Sequence, residues 1–312
     1  MNYKLTTKDL PTFDGKIIKL HKFIPKKEIK GCIQIVHGST EHGLRYKNLA
    51  DFLCKNGYAV YALDLRAHGL SCKDPSELGI VSWNKCTDQV LTDISNVFVE
   101  MYKDYPECER KFMIGHSYGS FLAQRFLEVK SLDKNLKGVV LSGTSGPQSF
   151  KMFMGRILVS LIMLFTGKNK RSEFVRNLMW GSYNKKFNPD NPKGHDWLSR
   201  DPKTVEEYVS DPLCGFAPPN CFAYSLMDLM YMTFLKKNLK EINKNMQLLY
   251  IWGTDDPVGN YGKNPRITTD ILSANGNNIT TIEYHDGRHE MFNEINKNEV
   301  YADLLNWMEK IQ

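Results

Sequence analysis

Two kinds of apolar pattern alternate along the chain. Short runs rich in β-branched and aromatic residues, at 31–36, 58–63, 111–116, 136–143 and 246–253, have the length and composition of buried strands, with a further strand at 279–284. Between them the apolar positions fall on a helical period. Residues 44–56 place Leu49, Phe52 and Leu53 on one face, and Gly57 ends the pattern as a C-terminal cap would. Residues 87–105 repeat at 90, 91, 94, 97, 98 and 101, with Thr87 as the expected N-cap and Pro106 as the stop. After residue 117, Leu122, Phe126 and Val129 again face one way, and amphipathic helices are expected near 263–275 and over 291–311. The first 30 residues read as a hairpin or edge strands turning at 13–16, with a strand at 17–24 closed by Pro25.

Strand and helix in alternation imply a mostly parallel sheet with right-handed crossovers and helices on both faces. The rhythm breaks at residues 146–238, which hold helical segments, an Asn- and Pro-rich loop at 188–192 and no strand pattern. The expected organisation is an α/β core of residues 1–145 and 239–312 carrying an inserted helical cap, 146–238. The chain shows no internal repeat and no low-complexity segment.

Where the strand at 111–116 gives way to a helix stands Gly115-His116-Ser117-Tyr118-Gly119. This is the pattern of a nucleophile elbow, a strained strand-to-helix turn that lifts a serine hydroxyl above the sheet. A hydroxyl is a weak nucleophile at neutral pH, so it needs a histidine to take its proton and a carboxylate to orient that histidine. In such turns the partners follow in the chain order serine, acid, histidine, each at a strand's C-terminal end. The loop after 246–253 offers Thr254-Asp255-Asp256-Pro257, with either aspartate a candidate. The loop after 279–284 offers His285 and His289, of which His289 follows a glycine turn and opens a helical pattern, and is favoured as the base. His116 is expected to pack inside the elbow. The carbonyl oxygen of an acyl substrate would need preorganised donors: the backbone N–H of Tyr118, after the nucleophile, and of Ser39, in the loop after 31–36.

The set His37-Gly38-Ser39-Thr40-Glu41-His42, the loop from Asp64 to Ser71, the elbow, Gly253-Thr254-Asp255-Asp256 and Gly287-Arg288-His289-Glu290 resembles the monoacylglycerol lipase and lysophospholipase branch of the α/β-hydrolases, also labelled serine aminopeptidase-like. The resemblance spans nearly the whole chain, with the motifs in order at strand ends. It implies the α/β-hydrolase fold and places the acid last in Gly-x-x-Asp, at Asp256. It thus implies a triad of Ser117, Asp256 and His289, and an oxyanion hole at Ser39 and Tyr118. Residues 211–216 look like a cap segment of bacterial members of that branch. Dehalogenase or epoxide hydrolase chemistry is disfavoured, because the elbow carries serine and not aspartate.

Composition narrows the rest. With 42% apolar and 24% charged residues over 312 positions, this is an ordinary globular chain with ample core. The net charge of +6 is scattered, so no nucleic-acid partner is expected, and clusters at 168–171 and 185–186 read as solvated faces. Seven cysteines without Cys-x-x-Cys spacing suggest neither a disulfide framework nor zinc, and no histidine has metal-ligand spacing, so neither metal nor cofactor is expected. The N-terminal residues lack a signal-peptide core, and no apolar segment reaches the roughly 20 residues that cross a bilayer, so a cytoplasmic location is expected.

Residues 150–166 are apolar almost all round apart from Lys151 and Arg156. One reading is a helix buried between cap and core. The other is a lid that lines an acyl tunnel or touches a lipid surface transiently. Both put an apolar surface near Ser117 and point to monoacyl lipid esters, lysophospholipid or monoacylglycerol, cleaved through an acyl-enzyme. The alternatives are a general carboxylesterase or thioesterase of small esters, and a non-catalytic small-molecule receptor on the same scaffold. Headgroup, chain length and oligomeric state leave no mark in the motifs.

Overall fold

Eight strands form one sheet in the order β1-β2-β4-β3-β5-β6-β7-β8: β1 (Tyr3–Pro11), β2 (Ile17–Pro25), β3 (Gly31–Val36), β4 (Tyr58–Asp64), β5 (Lys111–His116), β6 (Leu136–Ser142), β7 (Gln247–Gly253) and β8 (Asn278–Tyr284). The structure, a computed structural model, describes residues 3–129 and 135–311. Residues 1, 2, 130–134 and 312 of the expected core lie outside it. β1 and β2 pair antiparallel, and β2 runs antiparallel to β4; every later pairing is parallel. The helices of the core are α1 (Lys47–Lys55), α2 (Cys86–Asp104) and α3 (Tyr118–Val129), then, beyond the cap, α9 (Lys263–Ala274) and α10 (Lys297–Glu309). This is the α/β-hydrolase fold.

The strands are buried on both faces, which is why they read as continuous apolar runs. Alternate side chains point to opposite layers. Ile33, Ile35, Val60 and Ala62 meet α1 and α10 through Leu49, Leu53, Leu304 and Trp307. Cys32, Ala59, Tyr61 and Leu63 meet α2 and α3 through Val90, Ile94, Leu122 and Phe126.

Between β6 and β7 lie α4 (Ser149–Thr166), α5 (Glu173–Trp180), α6 (Pro202–Ser210), α7 (Asn220–Thr233) and the single turn α8 (Lys236–Leu239). α7 belongs to two layers. Its Phe222, Leu226 and Leu229 join the main core beside α3, while Ala223 and Met227 pack under α4 and α5.

Several expectations are corrected. α2 begins at Cys86 with Lys85 at its cap position, so Thr87 is already helical. Residues 291–293 form a separate 3-10 turn, and α10 starts only at Lys297. Arg171, expected on a solvated face, donates instead to the carbonyls of Ser76, Leu78 and Ala217 and ties the cap to the loop after β4. α4 is not buried between cap and core: only Met152 and Val159 are covered, and Phe150, Leu164 and Phe165 are 79%, 77% and 83% exposed. With 18 residues at mean hydropathy 1.5, α4 is also long and apolar enough to cross a membrane by length and composition, contrary to the expectation that no segment is. Its underside, however, packs on α7, and the helix carries Lys151 and Arg156.

Candidate active site

The elbow between β5 and α3 is built by crowding. Ser117 sits at φ 51°, in the left-handed region that costs a side-chain-bearing residue of order 1–3 kcal/mol. The turn closes because both flanking glycines lack a side chain. A Cβ on Gly115 would strike the Gly119 carbonyl, and one on Gly119 would strike the Val36 carbonyl of β3. The strained turn is held by the Ser117 N–H donating to the Ser142 carbonyl at 2.9 Å and by the Ser120 hydroxyl donating to the Ser117 carbonyl at 2.6 Å.

The loops after β7 and β8 are stitched to each other. Thr254 and Asp255 donate their N–H groups to the carbonyls of Tyr284 and Gly287, and the Asp286 N–H donates to the Thr254 hydroxyl. Gly253 and Gly287 meet backbone to backbone, and a Cβ on Gly253 would collide with the Gly287 carbonyl. The two aspartates therefore point in different directions. Asp255 faces out and pairs with Lys186 at 2.6 Å. Asp256, fully buried, accepts from His289 Nδ1 at 3.0 Å and from the Val258 N–H at 2.9 Å through the same oxygen. His285 is exposed, its ring turned to Asp286 at 3.1 Å.

With Nδ1 taken by Asp256, Nε2 is the nitrogen that His289 offers to the cavity it lines together with Ser117. Burial opposes an imidazolium here, but the carboxylate of Asp256, with Glu290 and Glu41 near, outweighs it and raises the His289 pKa above the ordinary histidine value. His116, His37 and His68 are tuned the opposite way. Burial, helped by the neighbouring His289, draws His116 down to about 4, and burial draws His37 and His68 down as well. His116 packs beside His289, ring centres 4.8 Å apart. Of these two packed rings, that of His289 has its pKa raised and that of His116 has it lowered.

Ser39 and Tyr118 both border the second cavity that Ser117 lines. The Tyr118 N–H is the first of α3 and so has no acceptor within the helix. The loop carrying Ser39 is held rigid from below. Glu41 accepts from the Gly38 N–H, the Tyr46 hydroxyl and Arg45, and Arg45 reaches on to Glu290 with two bonds of 2.8 Å. Burial would raise the Glu41 pKa, but Arg45 foremost, with His116 and His37, holds it down to about 2. The cap holds the same loop from above: Tyr208 bonds Thr40 at 2.8 Å, Gly215 donates to the Thr40 carbonyl, and Asp211 bonds His42 at 2.8 Å. His42, Asp211 and Cys214 thereby bring three potential ligand atoms within 4.8 Å of one another, which sequence spacing hid. The His42 Nε2 and the Asp211 carboxylate are already occupied with each other and with the Leu213 N–H.

Sequence reasoning missed the cap's grip on the loop of His289. The carbonyls of Trp197 and Leu198 accept from the N–H groups of His289 and Glu290, and the Trp197 ring lies 5.1 Å from that of His289. Arg288 clamps the same segment through the carbonyls of Asp196 and Ser199. Only Arg45 left a trace in the sequence, four residues after Glu41.

Two cavities meet at Ser117. One, of about 780 Å³ including its open mouth, is walled by Phe121, Met152, Met179, Leu226, Met227 and Met230. The other, about 610 Å³, has Arg176, Lys193 and His195 in its wall. The arrangement can present a hydroxyl with a proton acceptor to one acyl carbon and backbone donors to its carbonyl oxygen.

The fold superposes on a thermostable carboxyl esterase from Bacillus coagulans with a TM-score of 0.88, at 24% identity and 98% coverage of both chains. The chain is 25% identical to a monoacylglycerol lipase of Mycolicibacterium smegmatis over 288 residues, 91% of this chain and 90% of that one. It is 26% identical to rat monoglyceride lipase over 227 residues, 70% of this chain and 65% of the lipase. A match of 23% identity to an abhydrolase domain-containing protein of Dictyostelium discoideum takes in 97% of this chain but only 29% of that protein. The chain thus spans less than two thirds of those last two relatives. Residues 27–296 match the family described as serine aminopeptidase, S33, and the chain belongs to that family of α/β-hydrolases.

Proposed function

We propose that this chain is a serine hydrolase that cleaves carboxylic esters of monoacyl lipids through an acyl-enzyme. The observation that carries the reading is the strained Ser117, in one cavity with a His289 whose Nδ1 is held 3.0 Å from a buried Asp256, at the mouth of an apolar chamber. In this mechanism Ser117 Oγ attacks the ester carbonyl carbon while His289 Nε2 takes its proton. The carbonyl oxygen becomes an oxyanion held by the N–H groups of Ser39 and Tyr118, each worth about 2.7–4 kcal/mol of transition-state stabilisation. Collapse expels the alcohol, which leaves with the proton from His289. Water, deprotonated by the same nitrogen, then releases the fatty acid and restores Ser117. Asp256 keeps the imidazole in the required tautomer throughout.

The substrate class rests on the chamber. Methionines on α4, α5 and α7 give it an adaptable apolar wall suited to an alkyl chain. α4 lines that chamber with Lys151, Met152 and Gly155 and turns Phe150, Leu161, Leu164 and Phe165 outward. With Lys168 and Lys170 at its end, this face suits transient contact with a lipid surface in a cytoplasmic setting.

The test combines a fluorophosphonate probe with an acyl-chain series of p-nitrophenyl esters beside a monoacylglycerol and a lysophospholipid. A covalent adduct at Ser117 and a preference for long chains are expected. No adduct would favour a receptor on the same scaffold, and equal rates on acetate and decanoate esters would favour a general esterase.

A further inference from the structure

The polar cavity on the other side of Ser117 has a charge pattern that the acyl chamber lacks. Its floor holds two carboxylates, Glu41 and Glu290, both of which Arg45 engages. Its outer wall carries Arg176 from α5 and Lys193 from the following loop, with His195 beside them. Among the described residues these two cations have one carboxylate partner between them, Glu173. Arg176 Nη2 and Lys193 Nζ converge on the same oxygen, Glu173 Oε2, at 3.0 and 3.2 Å. Glu173 does not line the cavity and its side chain is 63% exposed, whereas that of Arg176 is 18% exposed. Two donors that already meet at a single anionic oxygen can meet at another one, and a planar guanidinium beside an ammonium is well matched to phosphate.

The nucleophile stands where this cavity and the apolar chamber join, with Ser39, Trp180 and Trp197 common to both. An ester whose carbonyl sits at Ser117 must send its acyl chain one way and its alcohol the other. We infer that the cavity beside Arg176 and Lys193 is a headgroup subsite for a phosphate-bearing alcohol, so that the preferred substrates are monoacyl glycerophosphate esters over uncharged monoacylglycerols. The inference rests on the acyl-enzyme reading above. The phosphate takes the place of the exposed Glu173 carboxylate as the acceptor shared by the two cations.

The experiment compares 1-decanoylglycerol with 1-decanoylglycerol 3-phosphate, both below micelle-forming concentration, in the wild type and in Arg176→Gln/Lys193→Gln. The ratio of kcat/KM for the phosphate ester to that for the uncharged ester should fall about tenfold or more in the double variant, carried by KM. Arg176→Lys should recover part of the ratio, and Glu173→Gln should raise it. Calorimetry of the wild type with glycerol 3-phosphate, inorganic phosphate and glycerol needs no turnover. Tighter binding of glycerol 3-phosphate than of either other compound, weakened in the double variant, supports the subsite. An unchanged ratio in the double variant, or glycerol bound as tightly as its phosphate, overturns it. A wild type that binds glycerol 3-phosphate but neither labels at Ser117 nor hydrolyses either ester leaves the subsite standing and removes the hydrolase reading.

Discussion

The C-terminal edge of the sheet and the helices above it are held together in opposite ways. At the sheet edge, backbone meets backbone: Gly119 against β3, Gly253 against Gly287, and Ser117 pinned to Ser142. Above it, α4 keeps most of its apolar surface uncovered and rests on α7 through methionines and Val159. The first arrangement leaves the backbone no room to shift, which the positioning of reacting groups demands. The second tolerates many side chains of similar size, which a chamber for chains of different length demands. One chain thus separates what must be exact from what must adapt.

The sharpest break in this comparison is chemical. Ser117→Ala should reduce ester hydrolysis by about 10⁴-fold or more and abolish fluorophosphonate labelling. Asp256→Asn should cost about 10⁴-fold in kcat, whereas Asp255→Asn, which loses only an ion pair to Lys186 at a half-exposed site, should change it less than about threefold. Equal effects at 255 and 256 would refute the assignment of the acid.

Next comes the backbone. Gly253→Ala forces a Cβ into the Gly287 carbonyl with no flexible side chain to yield, and should lower stability by about 3 kcal/mol or more in chemical denaturation. Leu164→Ala on the free face of α4 should stay within about 0.5 kcal/mol of the wild type.

The pH profile follows. Neutral His289 is the active form, so kcat/KM should rise with pH through a value above 6.5, and in Asp256→Asn, where the largest offset to burial is lost and only Glu290 and Glu41 remain, that limb should move downward. Stability responds to another group. Glu41 has its folded pKa lowered to about 2 from an ordinary value of 4.5. Its contribution is fully present above 4.5 and drains away as pH falls from there towards 2. Glu41→Gln should flatten that part of a stability curve measured by urea titration.

The smallest expected effect lies at the outer face. Phe165→Ser should lower the rate on long-chain ester presented in anionic vesicles several-fold relative to the rate on a soluble butyrate ester. An unchanged ratio removes the surface-contact role from α4.

The parts legible in the sequence are those whose signal is local. Strand runs are apolar because both faces are covered, and Ser117 and His289 announce themselves because their turns need glycines at fixed offsets. Asp256 was separable from Asp255 only by family pattern, since their difference in direction arises from hydrogen bonds between two loops more than 30 residues apart in the chain. The grip of Trp197 and Leu198 on the loop of His289 was invisible for a related reason: carbonyl oxygens carry no residue code. Arg171 read as surface charge because its partners are three backbone carbonyls. The exposure of α4 was equally hidden, because an apolar helix reads the same whether protein or lipid is meant to cover it.

The attachment of residues 196–199 to the loop of His289 divides the cap into exchangeable and inseparable halves. The stretch from 195 to 215 is bonded to the loop of His289 and to the loop of Ser39, so a displacement there would drag both loops with it. The stretch from 149 to 180 shares no such bonds with either loop, yet it supplies much of the chamber wall. A graft of α4 and α5 from a relative with another diet should therefore transplant its chain-length range and leave the acid–base profile in place. On this scaffold new substrates are reached by re-upholstering one half of the roof.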